Sequence, residues 1–255
     1  NSLGAYLSTI RVCNENDISV TLQVMLDWNS MSQSIHHNAR SYGHQLYSWE
    51  NEQQAGRETV EAAFAYLGEK FGGLNISENW IDVAETKSRA DYARSDSHVN
   101  DGQCFVSNWI LGNEINSKNV YQYSGGMSTQ QFFDSYAQTF RTFYSGIKSV
   151  NGGAHVYICL DHCWNSADYG YSSRYSMDQT AMRLQEYDPT CEWDVAFHPY
   201  ANPLTTTDFW NNSGVWQGSG TSYINMYNLN VLTDYIQANY PLRDEKGNDT
   251  GAERF

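Results

Sequence analysis

The 255-residue chain is poor in basic side chains: 15 Lys and Arg stand against 29 Asp and Glu, a formal net charge of −14. Nucleic acids and anionic membrane surfaces are gripped by stripes of Lys and Arg, so neither is an expected partner. No run approaches the roughly 18 consecutive apolar residues that a membrane-spanning helix needs, so no span is expected. The five cysteines (Cys13, Cys104, Cys159, Cys163 and Cys191) are odd in number and never spaced C-x-x-C. They read mostly as buried thiols rather than as a disulfide frame or a zinc ribbon. An H-E-x-x-H run is missing, as is an H-x-H pair at the end of a first strand. A methionine and a signal peptide are missing from the start, where the chain opens within a helical pattern.

Aromatics, by contrast, are abundant: 15% of the chain, with 19 Tyr and 8 Trp. Tyr and Trp offer an apolar face with a polar edge, and together with low charge they suit a surface for neutral, hydroxyl-rich ligands such as sugars. The 40% hydrophobic content supplies a core.

Apolar periodicity divides the chain into alternating helices and strands. Leu3, Tyr6, Leu7 and Ile10 mark a helix over 3–16, and Ile18, Val20, Leu22, Val24, Leu26 and Trp28 form one face of a strand over 18–29. Val60, Phe64, Leu67 and Phe71 predict a helix over 57–71; the polar stretch 74–103 is read as an excursion. A strand follows over 105–116, then a helix opened by the capping-box pattern Ser128-x-x-Gln131 with Phe133, Tyr136, Phe140, Phe143 and Ile147 at core spacing. The strand over 154–163 places Val156, Ile158 and Leu160 on one face and Tyr157, Cys159 and Asp161 on the other. A second box, Ser176-x-x-Gln179, predicts a helix reaching Pro189, followed by a strand over 193–200 and a helix over 225–239. Strict alternation of this kind predicts one α/β domain over 1–255 with a parallel sheet and helical crossovers.

Each expected strand ends in a polar or aromatic cluster: Asp27-Trp28-Asn29, Asn113-Glu114-Ile115-Asn116, Asp161-His162-Cys163-Trp164-Asn165 and His198-Pro199-Tyr200. Strand ends of that type carry the chemistry of α/β barrels. The runs Trp109-Ile-Leu-Gly-Asn-Glu114, Leu26-Asp-Trp-Asn29, Leu160-Asp-His-Cys-Trp-Asn165 and Phe197-His-Pro-Tyr200 resemble the clan A retaining glycoside hydrolases, whose fourth barrel strand ends in Asn-Glu. They are similar as well to an uncharacterised bacterial family related to that clan.

The resemblance implies an incomplete (β/α)8 TIM barrel, spanning about strands three to six with the first two and last two missing. It implies a glycosidase with Glu114 as general acid/base and Asn113 bonded to a sugar 2-hydroxyl. His198 and Tyr200 resemble sixth-strand residues that orient the nucleophile or touch substrate. Asp27, Trp28, Asn29, Asp161, His162 and Trp164 are the further substrate-binding candidates. Trp49, Trp210, Trp216, Tyr121 and Tyr123 are candidate stacking platforms in the mouth loops. A retaining mechanism needs a second carboxylate about 5–5.5 Å from the first, which in the clan ends the seventh strand. That nucleophile is expected just beyond Phe255, so the chain reads as an interior piece with little turnover of its own. The expected partner is a carbohydrate, with no cofactor or metal. A non-catalytic carbohydrate-binding barrel is the alternative, and a metal-dependent barrel hydrolase using His36, His37, His162 or His198 a weaker one. Sugar, linkage, oligomeric state and localisation stay open, with export or the cell envelope slightly favoured.

Overall fold

The computed structural model describes residues 2–27, 33–40, 46–72, 105–242, 248–250 and 254. Four strands, β1 (Thr21–Val24), β2 (Asn108–Leu111), β3 (His155–Leu160) and β4 (Asp194–Phe197), form one sheet in chain order. All three pairings are parallel, with Thr21 opposite Asn108, Trp109 opposite Val156 and Ile158 opposite Val195. Five α-helices are found among the described residues: α1 (Ser2–Glu15), α2 (Gln54–Phe71), α3 (Thr129–Lys148), α4 (Ser173–Tyr187) and α5 (Asn230–Asn239). Helices α2 and α3 pack together, as do α3 and α4. A sheet in chain order with its crossover helices side by side is consistent with part of a barrel-like wall. The excursion at 74–103 lies outside the described residues.

The strand parity is as expected in β2 and β3, whereas β1 covers Thr21–Val24 rather than 18–29 and leaves Ile18, expected on its helix-facing side, exposed. Trp109, Leu111, Val156, Ile158, Leu160 and Val195 are buried in one cluster with Phe64, Phe143, Ile147, Met177 and Leu184. Phe143 sits edge-on to both Phe64 (4.9 Å between centroids) and Trp109 (6.1 Å). Offset aromatic packing of this kind contributes about 0.5–1.5 kcal/mol per pair beyond area burial. Helices α2 and α3 approach at Gly68, where an added Cβ would stand 2.8 Å from the Gly146 carbonyl oxygen. The Ser128 capping box is formed in full, with Gln131 answering the Ser128 amide.

Three local expectations are corrected. The second capping box does not form: α4 starts a turn earlier, with Ser172 Oγ accepting from Tyr175 N at 3.3 Å, and Ser176 is buried inside the helix. Ser173 fixes that start by donating to the Asp161 carbonyl at 2.7 Å. Helix α5 begins at Asn230 rather than near 225, because Asn225 and Asn228 hold residues 225–228 in a turn. Strand β2 stops at Leu111 instead of reaching Asn116. Gly112 adopts φ +80, a left-handed conformation open to glycine, and takes the chain out of the ladder.

Candidate active site

The carboxyl ends of the strands are stitched by backbone hydrogen bonds that continue past the sheet. Gly112 N donates to Val24 O at 2.8 Å, Ile115 N to Cys159 O at 3.0 Å and His198 N to Leu160 O at 2.9 Å. Tyr136 Oη reaches across from α3 to the Leu111 carbonyl at 3.0 Å. Between these ties sits Glu114, with φ +40 and 8% exposure. A long side chain in the left-handed region costs of order 1–3 kcal/mol and is held only by well-tied surroundings.

Glu114 Oε1 lies 2.6 Å from His198 Nδ1, and Tyr200 Oη is 3.4 Å from the same nitrogen. On its far side the His198 ring meets Cys159 Sγ, 3.7 Å from Nε2. Gln23 Nε2 donates to Gly112 O (3.0 Å) and Asn113 Oδ1 (2.9 Å) and lies 3.8 Å from the same sulfur. Each of the four strands or its carboxyl end thus contributes to one polar layer. Gln23 and Cys159 were not singled out by the sequence. Their only signal is a parity that turns them away from the helix-facing core.

Above the layer lies a cleft of ≈ 540 Å³ whose walls include Glu114, Asn113, Tyr121, Asp161, His162 and Tyr200. Asp161 is buried, its carboxylate accepting from Ser117 Oγ (2.9 Å), Cys163 N (2.7 Å) and Ser173 Oγ (3.1 Å). It therefore shapes the wall more than it offers lone pairs. His162 stacks on Tyr223 at 5.6 Å and meets Tyr200 edge-on at 6.1 Å. Burial pushes its imidazole below the usual value, which keeps it neutral at pH 7 and suited to a hydroxyl partner.

Other expected residues lie elsewhere. Trp164 is fully buried, edge-on to Tyr235 at 5.2 Å, and belongs to the core rather than to a sugar platform. Trp49 is buried against Phe64, and Tyr123 packs on the core. Asp27 is exposed beyond β1, and Trp28 and Asn29 lie outside the described residues. Trp210 and Trp216 are exposed on the loop after β4.

Among the described residues, two clusters bring possible metal donors together: His36, His37 and Glu50, and Asp161, His162 and Cys163. In the first, Arg40 Nη2 already meets Glu50 Oε2 at 2.9 Å, a guanidinium standing where a cation would. In the second, the Asp161 carboxylate already accepts from Ser117 Oγ at 2.9 Å and Cys163 N at 2.7 Å.

Hydrogen bonds to the Cys159 sulfur and to the Glu114 carboxylate raise the His198 imidazole to about 10. A raised value means the pair's stabilisation is complete below the unfolded value near pH ~6.5 and fades as pH rises through about 10. In the Glu114→Gln variant the His198 ring should titrate closer to the ordinary imidazole value, as followed by NMR of the ring protons. An unchanged titration would show that the carboxylate does not hold the proton.

No curated protein and no solved structure matches the chain. One family does match, over residues 1–101 and 90–249, which together span most of the sequence. The chain belongs to that family, the family of unknown function DUF5722.

Proposed function

We propose that the chain carries the acid/base side of a glycoside hydrolase active site, with Glu114 as the proton-transferring carboxylate. The observation that carries this reading is a single nearly buried Glu in a left-handed conformation, 2.6 Å from an imidazole and opening onto an aromatic cleft. A glycosidic oxygen leaves poorly until it is protonated, so the chemistry asks for one positioned carboxyl group shielded from bulk water. Glu114 would protonate the departing oxygen and later take a proton from the attacking water. The proton shared with His198, 2.6 Å away, is the one that Glu114 passes on and later recovers. Asn113, His162 and Tyr200 on the cleft walls offer polar groups to sugar hydroxyls, and Tyr121 offers a ring face.

A retaining displacement needs a second carboxylate about 5–5.5 Å away. Asp161 shares the cleft, but its oxygens are committed to Ser117, Cys163 and Ser173. The reading therefore places the nucleophile outside the described residues, on a (β/α)8 barrel of which β1–β4 would be the third to sixth strands. The test is to incubate the protein with cello-, xylo-, manno- and laminarihexaose and measure both reducing ends and binding. Hydrolysis supports the enzyme, and binding without hydrolysis makes this a carbohydrate-binding barrel. Failure of both would sink the reading.

A further inference from the structure

The His198 ring is held at both of its nitrogens. Nδ1 lies 2.6 Å from Glu114 Oε1, on the cleft side, and Nε2 lies 3.7 Å from Cys159 Sγ, which has no exposed surface. Reacting group, imidazole and buried anchor stand in the order found in hydrolase triads, where the third member fixes the tautomer and orientation of the ring. Two features set this array apart. The reacting member is a carboxylate, and the anchor is a sulfur where triads place an acid or an amide.

The anchor is firmly built. Cys159 lies within β3, opposite Ala196 of β4, and its carbonyl accepts from Ile115 N at 3.0 Å. The residue after Glu114 is thus tied to the residue that carries the sulfur. His198 N is fixed on the next carbonyl along β3, Leu160 O, at 2.9 Å. Carboxylate and imidazole therefore both take their positions from the strand segment that presents Sγ. Gln23 Nε2 approaches the same sulfur at 3.8 Å. Among the described residues, the titratable groups that face the ring are Glu114, Cys159 and Tyr200, whose Oη is 3.4 Å from Nδ1.

The hydrogens of the ring settle what the sulfur does. His198 shares one proton with Glu114, through Nδ1. Whether that proton sits on the carboxyl or on the ring, the other nitrogen keeps its own hydrogen, and the atom it meets is Cys159 Sγ. A buried N–H without an acceptor is costly. Sulfur is a weak acceptor, so it holds the ring without competing with Glu114 for the shared proton. We propose that Cys159 is a positioning residue whose sulfur accepts from His198 Nε2–H and so aims Nδ1 at Glu114. This role rests on the acid/base reading of Glu114 and adds the group that orients its proton partner.

The test is nitrogen-15 and ring-proton NMR of the imidazoles in the wild type, Cys159→Ala and Cys159→Ser, without substrate. In the wild type His198 Nε2 should be protonated at pH 7, and its proton should exchange slowly with water. Cys159→Ala should lower the His198 titration midpoint by about one pH unit, a tenfold loss of proton affinity. Cys159→Ser, whose hydroxyl can again accept, should recover most of that loss. In a protein that includes the nucleophile, Cys159→Ala should lower kcat on the preferred hexaose and move its pH profile the same way, with KM unchanged. A thiol that only fills space predicts a lower unfolding midpoint with an unmoved His198 titration, and that result overturns the role while leaving Glu114 in place. An unprotonated Nε2 in the wild type at pH 7 overturns it as well, and needs no variant that folds. Hydrolysis of no hexaose by the protein that includes the nucleophile overturns the acid/base reading and this role with it, whatever the NMR shows.

Discussion

In a protein that includes the nucleophile, Glu114→Gln should lower kcat/KM on the preferred oligosaccharide by about 10²–10⁴-fold, the usual worth of a positioned general acid/base. Gln keeps the volume and a hydrogen-bonding oxygen for His198 Nδ1, now 2.6 Å from Glu114 Oε1, so the loss is one of proton transfer rather than of shape. The leaving group makes the argument specific. A 2,4-dinitrophenolate departs without protonation, so the first step on a dinitrophenyl glycoside should be nearly unaffected, and an added small nucleophile such as azide should restore turnover. An ordinary structural ion pair predicts something else: equal losses on both substrates, with a drop in unfolding midpoint. Equal activity of variant and wild type on the oligosaccharide removes Glu114 from the mechanism. The local backbone adds a second expectation. With φ +40 at Glu114, Glu114→Gly should relieve backbone strain but lose the ion pair with His198, so it should abolish turnover with no gain in stability.

Much of the scaffold could be read from residue spacing. The alternation of Val156, Ile158 and Leu160, and the stripe from Phe133 to Ile147, are direct consequences of burying one face, and both appear in the core. Where reading failed, local geometry outweighed pattern. Ser172 and Ser176 both offer a capping hydroxyl, and the hydrogen bond of Ser173 to the Asp161 carbonyl selects the first. Trp164 belongs to a strand-end cluster, yet the turn after Asp161 points it into the core. The cleft was half legible. Glu114, Asn113, His162, His198 and Tyr200 come from strand-end motifs and do gather near one another. Gln23 and Cys159 were hidden because their roles depend on register. Only when Gln23 pairs opposite Ile110, and Ile110 opposite Tyr157, do β1 and β3 reach the same layer. One sequence carries no direct signal of that stagger. The role of His198 also changed, from a presumed contact with the nucleophile or substrate to a direct partner of Glu114.

The largest loss of stability should come from outside the cleft, at Glu50. This carboxylate has no exposed surface and accepts from Arg40 Nη2 and His37 N at 2.9 Å each, Glu52 N at 3.0 Å and Gln53 N at 3.1 Å. It ties residues 33–40 and 46–52 to the start of α2, where Gly56 leaves it room: an added Cβ there would stand 2.2 Å from Glu50 Cγ. Removing the carboxylate leaves the His37, Glu52 and Gln53 amides without their acceptor, while the exposed Arg40 returns to water, so Glu50→Ala should cost about 1–3 kcal/mol in urea unfolding, with an unchanged m-value. Glu50→Gln, which keeps the shape, should lose less. Burial opposes the charge on Glu50, but the Gln53 and Glu52 amides, the His36 ring and the His37 amide outweigh it and hold the carboxyl below its usual range. A depressed value means the contribution is complete above the unfolded value near pH ~4.3 and is lost as pH falls through the folded one. Wild type and Glu50→Ala should therefore converge progressively as pH falls below the unfolded value near ~4.3; a gap that stays constant into acid would remove the charge from the explanation. The same loop pairs Ser48 N with Tyr123 O at 2.9 Å and Ser48 Oγ with Gln122 O at 3.2 Å, beside the cleft residue Tyr121. Loosening Glu50 should thus raise KM for the oligosaccharide more than it lowers kcat, because it frees a wall of the cleft and leaves the Glu114–His198 pair in place.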